Sequence, residues 1–176
     1  MKLRVFGWAV LVVLSLVRPV EAAEPTRDEV ASLIARQARS WETGDEAEFL
    51  DTLRSDVVFA YPGKRLDLAC VLQIFRDWKR DFKDTRMTMF RTVIDGRHFE
   101  IEYVFASTRI ASDGRTATGT VAIGEFKDGK LFVWKEYLDG RVSRMQAKGE
   151  LPVDEQAEPY PWPDTQESRW PECGGS

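Results

Sequence analysis

The residues best suited to chemistry are carboxylates and tyrosines in segments that alternate as β-strands do. Glu102 and Tyr103 are neighbours in one such segment, and Tyr137 and Asp139 share a face of another because side chains alternate along a strand. Tyr61 ends a third segment. A carboxylate in an apolar pocket can act as a general base, and a nearby tyrosine can donate a hydrogen bond to a developing oxyanion. We therefore consider Asp139 or Glu102 as a catalytic base and Tyr61 or Tyr137 as the donor.

Both carboxylates also have a simpler, structural interpretation. Glu102, together with Glu100 and Lys135, can pair across strands on a solvated face of a sheet. Asp139 stands directly before Gly140, and Asp-Gly is a common turn dipeptide. The sequence leaves the catalytic and the structural interpretation open for each residue.

Aromatic and arginine side chains supply candidate contacts to a ligand. We expect Trp41 and Trp78 where helices meet the sheet, as core and as pocket wall, and Tyr103 and Tyr137 on strand faces. Arg109 lies in a strand segment, and a guanidinium matches the geometry of a carboxylate-bearing ligand. The alternative is that Arg109 extends from a sheet edge along apolar surface.

Composition narrows the classes of function. The 176 residues include 29 acidic and 25 basic side chains, a formal net charge of −4, so an electrostatic nucleic-acid site is not expected. His98 is the only histidine, and Cys70 and Cys173 are the only cysteines, so the sequence holds no Cys/His cluster with zinc-ligand spacing. We expect no metal, no cofactor and no nucleic-acid partner.

Local patterns predict the elements that position these residues. Capping signals begin three helices, at Thr26, Asp45 and Asp67, and the third helix has the strongest periodic apolar stripe in the chain. A first strand is predicted over 56–61. Three Asp-Gly turns then separate four strands, over 86–94, 99–110, 116–126 and 131–138. The prediction is an α+β fold in which helices pack on one face of a curved antiparallel sheet.

The two ends of the chain differ from this central part. Residues 1–22 have a basic start and an apolar run over 5–17, typical of a secretory signal peptide cleaved after Ala22. Residues 148–176 are proline-rich and typical of a flexible tail, although Tyr160 and Trp162 favour partial docking on the domain. An oxidising compartment would allow Cys70 and Cys173 to pair, and two free thiols are the alternative.

The order of elements and three short segments resemble the nuclear transport factor 2-like (SnoaL-like) superfamily over residues 26–147. The segments are WETGD at 41–45, DVVFAYPG at 56–63 and WKEYLD at 134–139. The resemblance implies a cone-shaped half-barrel that closes over a pocket, so we assign 23–147 to one SnoaL-like domain. Members include ketosteroid isomerase, scytalone dehydratase, limonene epoxide hydrolase, polyketide cyclases and proteins with no known reaction.

The catalytic residues of these family members are only partly matched in this sequence. Tyr61 stands where the isomerases carry an aspartate base, and a tyrosine, with a reference pKa near ~10, is a poor proton acceptor at neutral pH. Asp139 matches by position the final carboxylate of the epoxide hydrolases, but residues 100–105 lack their Arg-x-Asp motif. The fold alone does not choose the reaction.

We therefore predict an exported pocket protein, secreted or periplasmic, that binds a small, largely apolar molecule. One alternative is a cofactor-independent isomerase, lyase or hydrolase with an acid–base pair in the pocket. Another is a dimerisation module with a vestigial pocket, because strands such as 116–126 carry apolar residues on both faces. The expected partners are a small-molecule ligand and a second copy of the chain in a homodimer, with no membrane association after signal removal.

Removal of the signal peptide can be checked on exported protein. N-terminal sequencing of that material should begin at Ala23, because Val20 and Ala22 occupy the small-residue positions that a signal peptidase reads. Mature protein that begins at Met1 would contradict this prediction.

Overall fold

The computed structural model of the chain describes residues 24–157. The predicted signal peptide, Cys173 and the tail beyond residue 157 lie outside the described residues, so the cleavage and the disulfide stay predictions. No helix in this part of the chain is long and apolar enough to cross a membrane. The elements in chain order are α1 (Arg27–Thr43), α2 (Glu46–Thr52), β1 (Leu53–Tyr61), β2 (Lys64–Leu66), α3 (Leu68–Asp81), β3 (Phe82–Asp95), β4 (His98–Arg109), β5 (Arg115–Lys127), β6 (Lys130–Leu138) and α4 (Val142–Ala147).

The three predicted helices begin at the residues that their capping signals indicate. Thr26 and Glu29 form a reciprocal capping box at the start of α1. The side chains of Asp45 and Asp67 each accept a hydrogen bond from the backbone N–H three residues further on. Each cap satisfies N–H groups that a first helical turn leaves without intrahelical partners. α1 ends at Thr43 and is capped by Gly44, which has a left-handed φ of 69°.

The sheet is mixed, with the strand order β2-β1-β6-β5-β4-β3. Strands β3 to β6 form the predicted antiparallel meander. β1 instead runs parallel to β6, which corrects the prediction of a purely antiparallel sheet. The chain passes through α3 between β1 and the meander, and a crossover of this kind is what parallel pairing requires.

Two short elements are absent from the sequence prediction. β2 pairs with the end of β1 across the Pro62-Gly63 turn, and its three residues are too few for a periodic signal. α4 has no side-chain cap. Its Gln146 side chain accepts a 2.9 Å hydrogen bond from the Ala117 N–H and donates a 2.8 Å hydrogen bond to the Ala117 carbonyl. This pairing holds α4 against β5 beyond the point where β6 stops pairing, at Leu138.

The described start of the tail, residues 148–157, contacts the domain. Nε2 of Gln146 donates to the Pro152 carbonyl at 3.0 Å. Arg115 on β5 forms an ion pair with Glu155. The tail therefore begins against β5 and α4.

The core forms where the helices pack on the inner face of the sheet. Phe49 of α2 stacks on Phe75 of α3, with ring centroids 4.3 Å apart. Both rings are buried, together with Val30 of α1 and Trp134 of β6. Burying a side chain of this size contributes about 1.5–3 kcal/mol relative to leaving it exposed. The packing therefore fixes the helices over the strands that form the site.

The outer face of the sheet is also partly apolar. Val104, Ala106 and Ala117 are buried there and pack with Phe90. Further along the same face, Val93 and Ile123 are exposed. This is the surface on which we predicted a second subunit, and that assembly stays a prediction.

The inner face requires a glycine at position 124. Gly124 lies on β5 between Phe99 of β4 and Trp134 of β6. A Cβ at this position would lie 2.1 Å from Cζ of Phe99, whose side chain is buried in the core. We expect Gly124→Ala to lower the free energy of unfolding by about 1–3 kcal/mol, because the ring must shift to make room. Urea denaturation measures this change.

The matched control is Gly140→Ala. No heavy atom lies within 4 Å of the position that its Cβ would take. We expect this variant to stay within about 0.5 kcal/mol of the parent. Equal destabilisation by the two variants would contradict the close approach of Phe99.

Candidate functional site

A cavity lies between the inner face of the sheet and helices α1 and α3, with α4 at one side. Its volume is about 330 Å³, near the lower end of the range for small-molecule sites. Strands contribute alternate residues to the wall, such as Phe59 and Tyr61 on β1 and Thr118 and Thr120 on β5. The strand side of the cavity is therefore built from inward-facing residues of β1 and β3 to β6.

Aromatic rings form a large part of the wall, with seven of its fifteen described lining residues. Trp41 and Trp78, on α1 and α3, come from the helices, and five further rings come from the strands: Phe59, Tyr61, Tyr103, Phe105 and Trp134. Trp41, Trp78 and Phe105 contact one another with ring centroids 5.0 to 6.4 Å apart. These rings give the cavity a mainly apolar, rigid surface.

Glu136 is the one charged residue among the described residues that line the cavity. Its Oε1 accepts two hydrogen bonds, from the Tyr103 hydroxyl at 2.7 Å and from Nε1 of Trp134 at 2.8 Å. Within residues 24–157, neither of these donors bonds to Oε2. Oε2 is therefore the carboxylate atom that remains for a ligand.

The strand register explains how this group forms. Glu136 of β6 lies opposite Ala122 of β5, and Tyr103 of β4 lies opposite Thr120 of β5. The short side chains of Ala122 and Thr120 leave space for the Tyr103 ring to reach across β5 to the carboxylate. Trp134 precedes Glu136 by two residues and so shares its face of the strand.

Burial controls the proton affinities of this group. Burial raises the pKa of Glu136, and the hydrogen bonds from Tyr103 and Trp134 offset only part of that rise. Burial also raises the pKa of Tyr103 well above its usual value, and the neighbouring carboxylate raises that pKa further. Tyr103 therefore stays protonated as a donor, while Glu136 exchanges its proton closer to neutral pH than an ordinary carboxyl group does.

A second polar group lies where β5 meets α4. Oγ1 of Thr118 and Oγ of Ser143 are 3.0 Å apart, and Thr120 adds a third hydroxyl to the wall. Hydroxyls can both donate and accept hydrogen bonds, so this side of the cavity suits a neutral polar substituent. In the part of the chain that the structure describes, no cluster of three or more His, Cys, Asp or Glu side chains could hold a metal ion.

Four of the eight site residues proposed from the sequence line the cavity: Trp41, Tyr61, Trp78 and Tyr103. The structure brings Tyr103 together with a carboxylate in an apolar setting. That carboxylate is Glu136, which the sequence analysis did not select.

Glu102 and Tyr137 lie on the outer face of the sheet, not at the cavity. Glu102 follows the alternation of β4 to the side opposite Tyr103, and its Oε2 lies 3.8 Å from Nε of Arg91. Tyr137 is 55% exposed, because it alternates with the inward-facing Glu136. The structure thus separates both residues from the cavity by the thickness of the sheet.

Arg109 and Asp139 also lie outside the cavity lining. The Arg109 guanidinium lies over the Phe82 ring, 4.6 Å from its centroid. Asp139 follows β6 and accepts hydrogen bonds from the side chain and the backbone N–H of Arg141. These bonds lower the pKa of Asp139 to about 2. Asp139 therefore lacks the apolar setting in which we considered it as a catalytic base, because it begins a partly exposed turn after β6.

Glu136 lies on the face of β6 opposite to the one that Tyr137 occupies, so the sequence-based prediction did not include it. Lys135 and Tyr137 mark the face that they share as the one directed outward. Trp134 and Leu138 mark the opposite face as the inner one. A glutamate between these two apolar residues is the signal that identifies Glu136.

Comparisons with known proteins show the fold. No protein-family model and no curated protein matches the chain. An LEH-like epoxide hydrolase of M. tuberculosis superposes with a TM-score of 0.64 and 16% identity, over 72% of this chain and 94% of its own. TsrD from Streptomyces laurentii superposes with a TM-score of 0.63 and 18% identity, over 73% of this chain and 100% of its own. The chain has the SnoaL-like, nuclear transport factor 2-like fold.

A third SnoaL-like neighbour has a ligand in its structure. It is a protein with a ketosteroid isomerase-like fold from Catenulispora acidiphila, in complex with trimethylamine. Its TM-score is 0.60 at 11% identity, over 66% of this chain and 92% of its own. The resemblance predicted from the sequence is confirmed at the level of the fold. At these identities the likeness says nothing of the reaction.

The raised pKa of Glu136 predicts how stability depends on pH. The folded protein holds this proton to higher pH than the unfolded chain, whose carboxyl pKa is 4.5. Glu136 therefore has no net effect well below pH 4.5, and it destabilises the fold increasingly as the pH rises from 4.5 through the folded pKa. Glu136→Gln stays neutral and keeps an oxygen for both donors, so it should gain stability over the parent between pH 4 and pH 7.

Urea denaturation at pH 4, 5.5 and 7 measures this difference, and ~1.4 kcal/mol corresponds to each tenfold change in the acid dissociation constant. The control is Glu100→Gln, the same chemical change at an exposed position of β4. We expect no comparable trend for it. A difference between Glu136→Gln and the parent that does not vary with pH would contradict the prediction.

Proposed function

We propose that this chain binds a small, mainly apolar molecule in the cavity, and that Glu136 is its polar anchor. One observation carries the proposal: a cavity walled by aromatic rings holds a single carboxylate, and both of its donors bond to the same oxygen. Small-molecule sites are typically concave and apolar, with a few polar groups that fix the ligand's orientation. The cavity has this composition.

The volume limits the size of the ligand. About 330 Å³ is near the lower end of the volumes typical of small-molecule sites. A compact ligand, on the order of one or two rings, therefore suits the cavity better than an extended chain.

The cellular location and the oligomeric state of the chain are also part of the proposal. The basic and apolar pattern of residues 1–22 supports export, with a secreted or periplasmic mature chain. The exposed Val93 and Ile123 on the outer sheet face support a homodimer. The cavity lies on the other face of the sheet, so such a dimer would not cover it.

A second candidate function is acid–base catalysis without a cofactor. The observation that favours it is the carboxyl group of Glu136, whose pKa is raised by burial and whose Oε2 can reach a ligand. In this mechanism Glu136 takes a proton from a carbon next to a carbonyl, and the Tyr61 hydroxyl donates to the oxygen that becomes negative. Return of the proton to another carbon gives an isomerase, and loss of a leaving group gives a lyase.

Binding in the cavity is tested by filling it. Ile74 on α3 lines the cavity, and Ile74→Trp adds a ring to the wall. The mature protein should retain a small molecule from a native extract, identified by mass spectrometry, and Ile74→Trp should retain at least tenfold less. The larger side chain takes up space that the ligand needs.

The matched control is Gln73→Trp, which places the same ring at the neighbouring, exposed position of α3. This variant should retain as much ligand as the parent, and circular dichroism should show that both variants are folded. Equal retention by Ile74→Trp and Gln73→Trp would place the ligand outside the cavity and overturn the proposal.

The recovered molecule then separates binding from catalysis. Under the first function it is unchanged after incubation with the protein. Under the second it is converted, and Glu136→Gln should slow conversion at least 100-fold, in the range that loss of a general base produces. Tyr61→Phe should slow it less, and Glu100→Gln should convert at the parent rate.

A further inference from the structure

The cavity has an unbalanced charge. Its described lining contains Glu136 and no lysine, arginine or histidine. We propose that its ligand is a small organic cation, an alkylated ammonium whose N–H donates to Oε2 of Glu136 while its alkyl groups lie against the aromatic wall. This inference rests on the proposed binding function and names its ligand class.

Hydrogen bonding supports a ligand that donates. Tyr103 and Trp134 both donate to Oε1, and both are fixed in the core. A carboxylate can accept at two oxygens, so a ligand completes the group when it brings a donor to Oε2. While Glu136 is ionised, a ligand with acceptors alone would leave Oε2 desolvated without a partner, which is costly in a low-dielectric site.

The charge of Glu136 favours a cationic donor over a neutral or an anionic ligand. An anionic ligand would meet the carboxylate without a basic side chain in the lining to offset the repulsion. A neutral donor would satisfy Oε2 but leave the charge of Glu136 uncompensated. An ammonium both donates to Oε2 and compensates the buried charge, and such charge-assisted hydrogen bonds are stronger than neutral ones.

The aromatic wall supports the same class of ligand. Trp41, Trp78 and Phe105 lie together on one part of the wall, and Phe59 and Tyr61 add rings from β1. Cations are attracted to the faces of aromatic rings, most strongly to tryptophan, and rings that surround an alkylated ammonium are a recurrent mode of recognition. The alkyl groups also bury apolar surface against the rings.

A matched pair of probes tests the inference on the mature protein. N,N-Dimethylbenzylamine is cationic at neutral pH, and isobutylbenzene is its neutral isostere, with CH in place of NH⁺. Quenching of tryptophan fluorescence at pH 7 should show the amine binding at least tenfold more tightly than isobutylbenzene. Phenylacetate, an anion of similar size, should bind more weakly than the amine by at least the same factor.

Two variants test whether Glu136 and the aromatic wall cause the preference for the amine. Glu136→Gln removes the charge and keeps the shape, so the preference for the amine over isobutylbenzene should fall at least tenfold, whereas the control Glu100→Gln should retain it. Phe105→Leu removes one ring and should weaken binding of the amine more than binding of isobutylbenzene. This second variant keeps the test decisive if Glu136→Gln alters the fold.

The possible results distinguish failure of the cationic-ligand inference from failure of the proposed function. If isobutylbenzene binds in the cavity as tightly as the amine or more tightly, the proposal of a cationic ligand is wrong. The proposed function, binding of a small apolar molecule, is then still supported. If Glu136→Gln retains the full preference for the amine, the cation does not bind at Glu136 and the inference fails. If none of the probes binds while Ile74→Trp still retains less extract ligand than Gln73→Trp, the inference fails and the proposed function stands.

Discussion

The carboxylate of Glu136 is half-buried in the wall of an apolar cavity, and a charge in that position requires donors of fixed geometry. Tyr103 and Trp134 supply them from two different strands, and both bond to Oε1. The arrangement holds only while β4, β5 and β6 keep their register, because a shift of one residue turns every side chain to the other face. The polar contact in the cavity wall thus depends on the pairing of three strands, β4, β5 and β6.

The aromatic residues explain why a cavity remains between sheet and helices. Trp41, Trp78 and Phe105 brace one another through ring contacts, and stacked Phe49 and Phe75 fill the space beside them. Rings with few rotatable bonds cannot collapse into a gap as flexible aliphatic chains can. The helices are therefore held at a distance from β5, where the wall is made of short threonine side chains.

Much of the fold could be predicted from the sequence because its signals are local. Caps at Thr26, Asp45 and Asp67 and the Asp-Gly turns each depend on a few neighbouring residues, and the structure has all of them. The parallel pairing of β1 with β6 depends on residues more than seventy positions apart. No local pattern encodes such a pairing, so the predicted sheet was wholly antiparallel.

The site was harder to predict because the direction in which a strand face points also depends on distant parts of the chain. Alternation along β6 correctly divided the strand into two faces, but it did not say which face points inward. Asp139 was chosen by position in the family, and its exposed turn pairs it with Arg141 instead. Weighing Trp134 and Leu138 against Lys135 would have selected the face of Glu136, because apolar side chains mark the buried side.

The pairing of Gln146 with Ala117 has a consequence for how the molecule meets other chains. Beyond Leu138, β5 continues without β6 beside it, and the backbone groups of an unpaired edge are a template for strand addition by another protein. The Gln146 amide presents one donor and one acceptor to Ala117, as a neighbouring strand would. A single side chain from a short helix thus blocks this part of the edge, which protects the open end of the sheet from aggregation.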